Sequence, residues 1–472
     1  MKMQSHCLSS IRNRLSVGGD CSNSFLWGAA HAVFAGDLLH GTSLGGRLVE
    51  LSGRSVLLAA RDQLAAALAL IELDGVARRI IICPPDIPLE YLPSVIVEGG
   101  VDAVVSDCDY DSGCEPADPI CAGNLLRITC GSHVSRRPAV SCEPRTTEWV
   151  LLTSGTTGSP KMIVHTLASL MAPIDRSGGP AKDGVVWGTF YDIRRYGGLQ
   201  IFLRAIMGRG SLVLSAAGES IADHLARLGA HGVTHISGTP SHWRRVLMSP
   251  EADRIAPGYI RLSGEIVDQA ILNSLRSFYP RSAIGHAFAS TEAGVAFEVN
   301  DCLAGFPASV LGIRREVGIR IVDDCLQIRS NGAASRYLDA KSGDLADQEG
   351  FVDTGDVVER RGDRYRFLGR RNGVINVGGL KVYPEEVEAV INSHPAVRMS
   401  LVRPRRNSLT GALVSADVVI KPSHEPECPG NFETEILDIC RKRLSAHKIP
   451  ATIRRVSTLT VAGAGKLVRH HA

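Results

Sequence analysis

The chain has 472 residues, 44% of them hydrophobic and 21% charged, with a formal net charge of +3. That length holds two or more domains with ample core, and the composition is ordinary for a soluble globular protein. The small net charge, without a Lys/Arg run of five or more, argues against a nucleic-acid binder, and no apolar stretch reaches membrane-spanning length.

The N-terminal stretch MKMQSHCLSSIRNRLSVGGD is basic and polar and lacks an apolar signal core. Secretion is therefore not expected, and an organelle transit peptide is the lesser alternative. Twelve cysteines are present, five of which (Cys108, Cys114, Cys121, Cys130 and Cys142) lie within 35 residues. These five contain no CxxC pair, so a zinc site is poorly supported and reduced thiols in a cytoplasmic protein are expected.

From Leu57 onward the patterns alternate. Leu57 to Leu73, rich in Ala and Leu, reads as a helix. Arg79 to Cys83 reads as a buried strand, Leu89 to Glu98 as a helix after Pro88, and Val101 to Val105 as another buried strand. This rhythm predicts a parallel sheet covered by helices. Residues 107–146 lack clear periodicity and read as an irregular connection. Trp149 to Leu152 reads as a strand and Val164 to Met171 as a helix. Then come a strand over Val185 to Phe190, a helix over Gly198 to Met207, a strand over Ser211 to Leu214, a helix over Ile221 to Leu228 and a strand over Val233 to Ile236. Ile319 to Ile328 and Arg364 to Leu368 read as hairpin strands. A boundary is predicted near Gly369 to Gly373. Beyond it, helices over Glu385 to Asn392 and Phe432 to Leu444 mix with strands over Met399 to Arg403 and Ala416 to Ile420, a small α+β arrangement.

The densest chemical signal is Leu152 to Lys161, LTSGTTGSPK. Hydroxyls and Gly backbone N–H groups at this density suit a loop around phosphate oxygens, and Lys161 would add a point charge. A polar surface turn is the other reading of the same residues. The Walker pattern is excluded by the spacing of Gly155, Gly158 and Lys161. Downstream, HAFASTE ends in Thr291 and Glu292, which on their own read as a helix cap with an acidic first turn. FVDTGD ends in Asp356, and on its own TGD is good turn chemistry. FLGRRNGVINVGGLKVYP contains Arg370 and Gly378-Gly379, and on its own reads as a β-turn between two strands. GAGKLVR near the C-terminus carries Lys466, which in a flexible tail would be only a solvated charge.

Together and in this order, these five stretches resemble the signatures of the adenylate-forming superfamily, the AMP-dependent synthetases and ligases that include acyl- and aryl-CoA synthetases. The resemblance covers roughly residues 50–472. It implies an α/β fold with a large N-terminal domain of parallel and mixed sheets covered by helices, plus a small mobile α+β lid. The division falls at 1–370, an AMP-binding domain holding ATP and the acyl pocket, and 371–472, a lid carrying the catalytic Lys. It assigns Thr153, Ser154, Gly155, Thr156, Thr157, Gly158 and Lys161 to the phosphates, and Thr291 to the α-phosphate. Glu292 falls to Mg²⁺, Phe288 to the adenine, Asp356 and Arg370 to the ribose, Gly378 and Gly379 to the thiol's tunnel, and Lys466 to the acyl carboxylate and α-phosphate.

Two departures stand in these motifs: Phe288-Ala289 replaces the usual Tyr-Gly, and the hinge position is Asn372 rather than Asp. The acyl pocket should lie between the phosphate loop and the Thr-Glu stretch, with Phe190 to Gly198, Gly238 to Trp243 and Arg261 to Glu265 as candidate segments. There FYDIRRYGG lacks the family's frequent His, and Gly264-Glu265 replaces a usual Gly-Gly. The implied activity is that of a cytoplasmic carboxylic acid–CoA ligase of fatty or aromatic acid metabolism, using ATP, Mg²⁺ and coenzyme A on a small carboxylic acid. Loading of a carrier-protein pantetheine is the first alternative. A non-catalytic nucleotide-binding regulatory protein is the second, disfavoured by intact Glu292 and Lys466.

Overall fold

The computed structural model describes residues 10–17, 24–108, 125–136, 143–153, 160–176, 184–314, 316–339, 342–408, 410–421, 432–461 and 466–469. The fold is α/β, with mixed sheets covered by helices in the N-terminal part and a smaller C-terminal sheet with its own helices. The chain divides into two compact units: Met1–Ser237 with Ala289–Ala296 and Ser330–Val352, and Gly238–Phe288 with Phe297–Arg329 and Asp353–Ala472.

The first unit contains a seven-stranded sheet in the order Arg336–Tyr337, Lys161–Thr166, Glu148–Thr153, Arg79–Ile82, Ser55–Leu58, Ala103–Ser106, Leu126–Thr129. The last five strands run parallel to one another, while Lys161–Thr166 pairs antiparallel with both of its neighbours. Parallel strands buried on both faces need continuous apolar runs rather than alternation, and SVLL, RIII and AVVS supply them. The helix Gln63–Leu73 is buried along its whole length. Its start is set by Asp62, whose carboxylate accepts from the Ala65 N–H, a cap worth about 1 kcal/mol. Leu64, Leu68, Leu70 and Ile71 are at most 1% exposed, and burial of each contributes roughly 2 kcal/mol. A second layer of strands in this unit runs in the order His235–Gly238, Val186–Thr189, Ser211–Val213, Phe25–Trp27, Ala32–Phe34.

In the second unit, Tyr259–Leu262 runs parallel to Ala283–Ser290. A six-stranded sheet includes the hairpin Val317–Val322 and Cys325–Ser330, then Val352–Arg361 paired antiparallel with Arg364–Arg370. The C-terminal sheet has five strands: Leu380–Val382, Ile375–Val377, Gly411–Ile420, Val397–Asn407, and Thr452–Arg455 beside Gly411–Ile420. The helices Pro384–Ile391 and Phe432–Arg443 pack on one face of it, around Val387, Ile391, Val402, Val418 and Ile436.

Three sequence expectations are corrected. The helix expected over Leu57 to Leu73 begins only at Gln63, because Ser55–Leu58 is a central strand and the Asp62 cap fixes the start. The helix expected over Val164 to Met171 begins at Leu167, because β-branched Ile163 and Val164 belong to a strand held on both sides. The irregular connection over 107–146 contains the strands Leu126–Thr129 and Ser135–Arg136, too short and too little buried to leave a period.

Candidate active site

In the first unit, Thr153 and Lys161 end the antiparallel strands Glu148–Thr153 and Lys161–Thr166 and face each other in register. Ser154, Gly155, Thr156, Thr157 and Gly158 lie outside the described residues. The Lys161 ammonium stands 5.0 Å from the ring centroid of Tyr337, a cation–π distance, and Tyr337 sits on the neighbouring edge strand. Burial, with the charges of Glu292 and Asp339, pushes the Tyr337 hydroxyl up from its ordinary pKa. Thr291 and Glu292 form the turn after the strand Ala283–Ser290. Their backbone is tied at two points. The Thr291 carbonyl lies 2.7 Å from His165 Nε2, and the Glu292 carbonyl accepts from the Ala334 N–H at 2.9 Å.

His165 was missed by sequence reasoning. It is fully buried, and burial pushes its pKa down to about 4, so the ring is neutral. The carbonyl partner assigns the proton to Nε2, while Nδ1 lies 3.0 Å from Ser169 Oγ. A neutral imidazole donating to a main-chain carbonyl holds the Thr-Glu turn without adding charge near it.

In the second unit, Asp356 and Arg370 are opposite each other on paired strands, with Asp356 Oδ1 3.3 Å from Arg370 Nε. Asp356 is 8% exposed, whereas Arg370 is mostly exposed. Burial raises the Asp356 pKa from the carboxylate range, and the charges of Arg370 and Lys466 pull it back. The TGD stretch is strand rather than turn, with Gly355 at φ 69° and a register shift after Val357. That positive φ is open to Gly at little cost. The Thr354 hydroxyl donates to the Leu326 carbonyl and accepts from the Asp356 N–H, which fixes the acid's backbone.

Phe288 lies in a cluster of four phenylalanines. Its ring stacks with Phe367 at 5.4 Å and with Phe297 at 5.7 Å, and Phe306 touches both of those. Arg371–Gly373 is a single 3₁₀ turn following the Arg364–Arg370 strand. Gly378 and Gly379, at φ 58° and 86°, make the two-residue hairpin turn between Ile375–Val377 and Leu380–Val382. Positive φ at both positions is what such tight hairpins require.

Lys466 is exposed and lies at a short antiparallel bridge between Val461 and Leu467. Its neighbours are anchored: the Leu467 N–H donates to Glu265 Oε1 at 3.1 Å, and Arg469 makes a bidentate pair with Glu388 at 2.7 and 2.8 Å. Glu265 was read from the sequence only as a departure in a candidate acyl-pocket segment, and Glu388 and Arg469 were given no role, because their partners are 202 and 81 residues away. The one available signal was a Glu where a Gly is usual.

Among the described residues, no group of three or more His, Cys, Asp or Glu is placed to hold a metal. Mg²⁺ is commonly held by one carboxylate together with substrate phosphates, and Glu292 is the carboxylate that the sequence resemblance would assign to it. No helix of the described residues is long and apolar enough to cross a membrane.

The α/β fold, the Asp–Arg strand pair, the Thr-Glu turn and the C-terminal Lys in the field of the Asp are consistent with the adenylate-forming class that the sequence motifs resemble. Residues 61–334 match the AMP-binding enzyme family, and residues 386–466 match the AMP-binding enzyme C-terminal domain. The chain belongs to this family. It is 30% identical over 277 residues to the 2-succinylbenzoate–CoA ligase of Salmonella typhimurium, covering 56% of each protein. It is 26% identical over 404 residues to the 4-hydroxybenzoate–CoA/benzoate–CoA ligase of Rhodopseudomonas palustris, covering 81% of this chain and 73% of that one. The match thus spans about half the length of the first of these relatives. A crystal structure of an anthranilate–CoA ligase in complex with anthranoyl-AMP superposes with a TM-score of 0.80 at 16% identity, over 97% of this chain and 95% of that one.

Proposed function

We propose that this chain is an ATP-dependent carboxylic acid–CoA ligase working through an acyl adenylate. In the first step a carboxylate oxygen attacks the α-phosphorus of ATP, giving acyl-AMP and pyrophosphate. In the second, the thiol of CoA attacks the acyl carbon, giving the thioester and AMP. The observation that carries this reading is the buried Asp356 beside Arg370, under the charge of Lys466.

The first step brings one anion to another, so catalysis is charge neutralisation and positioning. Lys161, Thr153 and the hydroxyls and amides of Ser154 to Gly158 would bind phosphate oxygens. Thr291 would donate to the α-phosphate. Asp356 accepts from both ribose hydroxyls, and Arg370 orients it. Lys466 would meet the charge that develops on the carboxylate and α-phosphate. Glu292 would hold Mg²⁺, which neutralises phosphate charge when bound. Phe288 offers an apolar wall to the adenine, and Gly378-Gly379 would line the approach of the thiol. We assign residues 1–370 and 371–472 as the AMP-binding domain and its lid.

The substrate class we infer is a small aromatic carboxylic acid, since some of the similar proteins carry the names of 2-succinylbenzoate and benzoate ligases, while others are named only as acyl-CoA ligases or synthetases. The test is a panel of carboxylic acids scored by acid-dependent exchange of pyrophosphate into ATP, followed by mass spectrometry with CoA. Exchange with an aromatic acid and formation of its CoA thioester are expected. Release of ADP and phosphate with every acid would overturn the reading, and stalling at the adenylate with CoA, yet turnover on a holo carrier protein, would move it to carrier loading.

A further inference from the structure

We propose that Glu265 is a positioning residue that latches the Lys466 segment for the first half-reaction. The inference rests on the adenylation reading but assigns a role to a residue outside the motifs.

Glu265 follows the strand Tyr259–Leu262, at a place where Gly-Gly is usual. Its carboxylate is half-buried and fully engaged. Oε2 accepts from the Ser241 N–H at 2.9 Å, and Oε1 accepts from the Ser241 hydroxyl at 3.0 Å and from the Leu467 N–H at 3.1 Å. Ser241 lies in the first turn of the helix Pro240–Val246, whose start is fixed by a reciprocal cap between Thr239 and His242. The carboxylate is therefore aimed by a rigid element before it reaches Leu467. Leu467 directly follows Lys466, so a bond to its N–H fixes the peptide from which the lysine projects. A glycine in place of Glu265 has no acceptor to offer.

The rest of the segment is consistent with a latch rather than a chance contact. The Val468 N–H donates to the Thr460 carbonyl, and Leu467 packs against Met399, Leu401, Val419 and Leu459. Arg469 is paired with Glu388 and lies 3.5 Å from Glu385. Glu388 also accepts from the Val402 N–H, which holds the far end of the latch to the C-terminal sheet. Glu265 differs from these partners in one respect. It precedes the proposed hinge at Asn372, whereas Leu467, Glu388 and Val402 all follow it. Its bond, like that from Asn392 Nδ2 to Asp268 Oδ2 at 3.3 Å, joins the two sides of the hinge and must break if the lid is to turn for the second half-reaction.

The experiment measures each half-reaction for Glu265→Ala, Glu265→Asp and Glu265→Gln: acid-dependent pyrophosphate exchange, and CoA attack on supplied acyl adenylate. Because a hydrogen bond to a charged acceptor is lost, Glu265→Ala should lower kcat of exchange about tenfold or more. The KM for the acid should stay unchanged, and CoA attack should run at or above the wild-type rate. Glu265→Asp retracts the carboxylate and should behave like the Ala variant. Glu265→Gln keeps an acceptor oxygen for Leu467 and should recover most of the exchange. If Glu265→Ala does not fold, the Asp and Gln pair carries the comparison. Equal losses in both half-reactions, unchanged exchange in the Ala and Asp variants, or a raised acid KM with kcat preserved would each overturn the latch. Failure of the wild type to exchange pyrophosphate with any acid would instead overturn the adenylation reading beneath it.

Discussion

His165 carries no charge where it sits, and this has a consequence for stability. Burial depresses its folded pKa from 6.5 to about 4. The unfolded chain therefore takes up a proton first, as pH falls through 6.5. The contribution of the neutral ring is intact above about 6.5 and is lost progressively as pH falls towards 4. At pH 5 this costs the wild type about 2 kcal/mol relative to a side chain that does not titrate. His165→Gln keeps a donor for the Thr291 carbonyl without the titration. Thermal unfolding at pH 7 and pH 5 should show a larger fall in Tm for the wild type than for the variant, and equal falls would refute the assignment. Glu292 is the residue proposed to hold Mg²⁺. Glu292→Gln keeps shape and removes the charge that Mg²⁺ favours, so kcat/KM for ATP should drop at least about tenfold, or roughly 1.4 kcal/mol of transition-state stabilisation. Unchanged kinetics at limiting Mg²⁺ would reduce Glu292 to a turn residue.

At the scale of elements, the 3₁₀ turn Arg371–Gly373 is the joint on which the proposed two-step cycle depends. Arg371 already ties it to the preceding strands, donating from Nε to Cys325 Sγ at 3.2 Å and from a terminal nitrogen to Asp353 at 2.9 Å. Asn372 and Gly373 tolerate backbone angles that other residues resist. Asn372→Pro locks φ near −65° and is expected to spare pyrophosphate exchange while slowing thioester formation, as read by each half-reaction separately. Thioester formation at the wild-type rate would remove the hinge from this turn. The elements themselves were largely legible where a period was long. Gly198 to Met207 and Phe432 to Leu444 are helices within two residues of their expected ends, and the Ile319 to Ile328 hairpin is present. Legibility failed where an Ala- and Leu-rich run crossed from strand to helix, as at Leu57, since apolar runs alone do not distinguish the two. Asp356 and Arg370 were readable because each sits in a local motif. His165 and Tyr337 were not, and Glu265 was legible only as a departure from Gly-Gly, because their partners are brought to them only by strand pairing and by turns far away in the chain.

At the scale of the whole molecule, one reaction centre is proposed to serve two chemically different steps. Lys466 belongs to the part of the chain that follows Asn372, and so do Gly378 and Gly379. A lid that turns would bring Lys466 in for adenylation and the glycine turn in for thiolation, gating each step without altering its chemistry. In the proposed cycle the charge on Lys466 serves the first step, where negative charge develops on phosphate. In the second, charge builds again on the departing AMP phosphate, but the turned lid has by then carried the ammonium away from it. Lys466→Ala removes a cation from developing phosphate charge, and pyrophosphate exchange should fall at least about a hundredfold, by analogy with the loss of one oxyanion donor. CoA attack on supplied acyl adenylate should remain close to the wild-type rate. Folding is not expected to confound the comparison, because Lys466 is exposed and Leu467 and Arg469 also anchor its segment. If Lys466→Ala depresses both half-reactions to the same extent, the lysine serves the architecture of the segment and the two-conformation cycle fails for this chain.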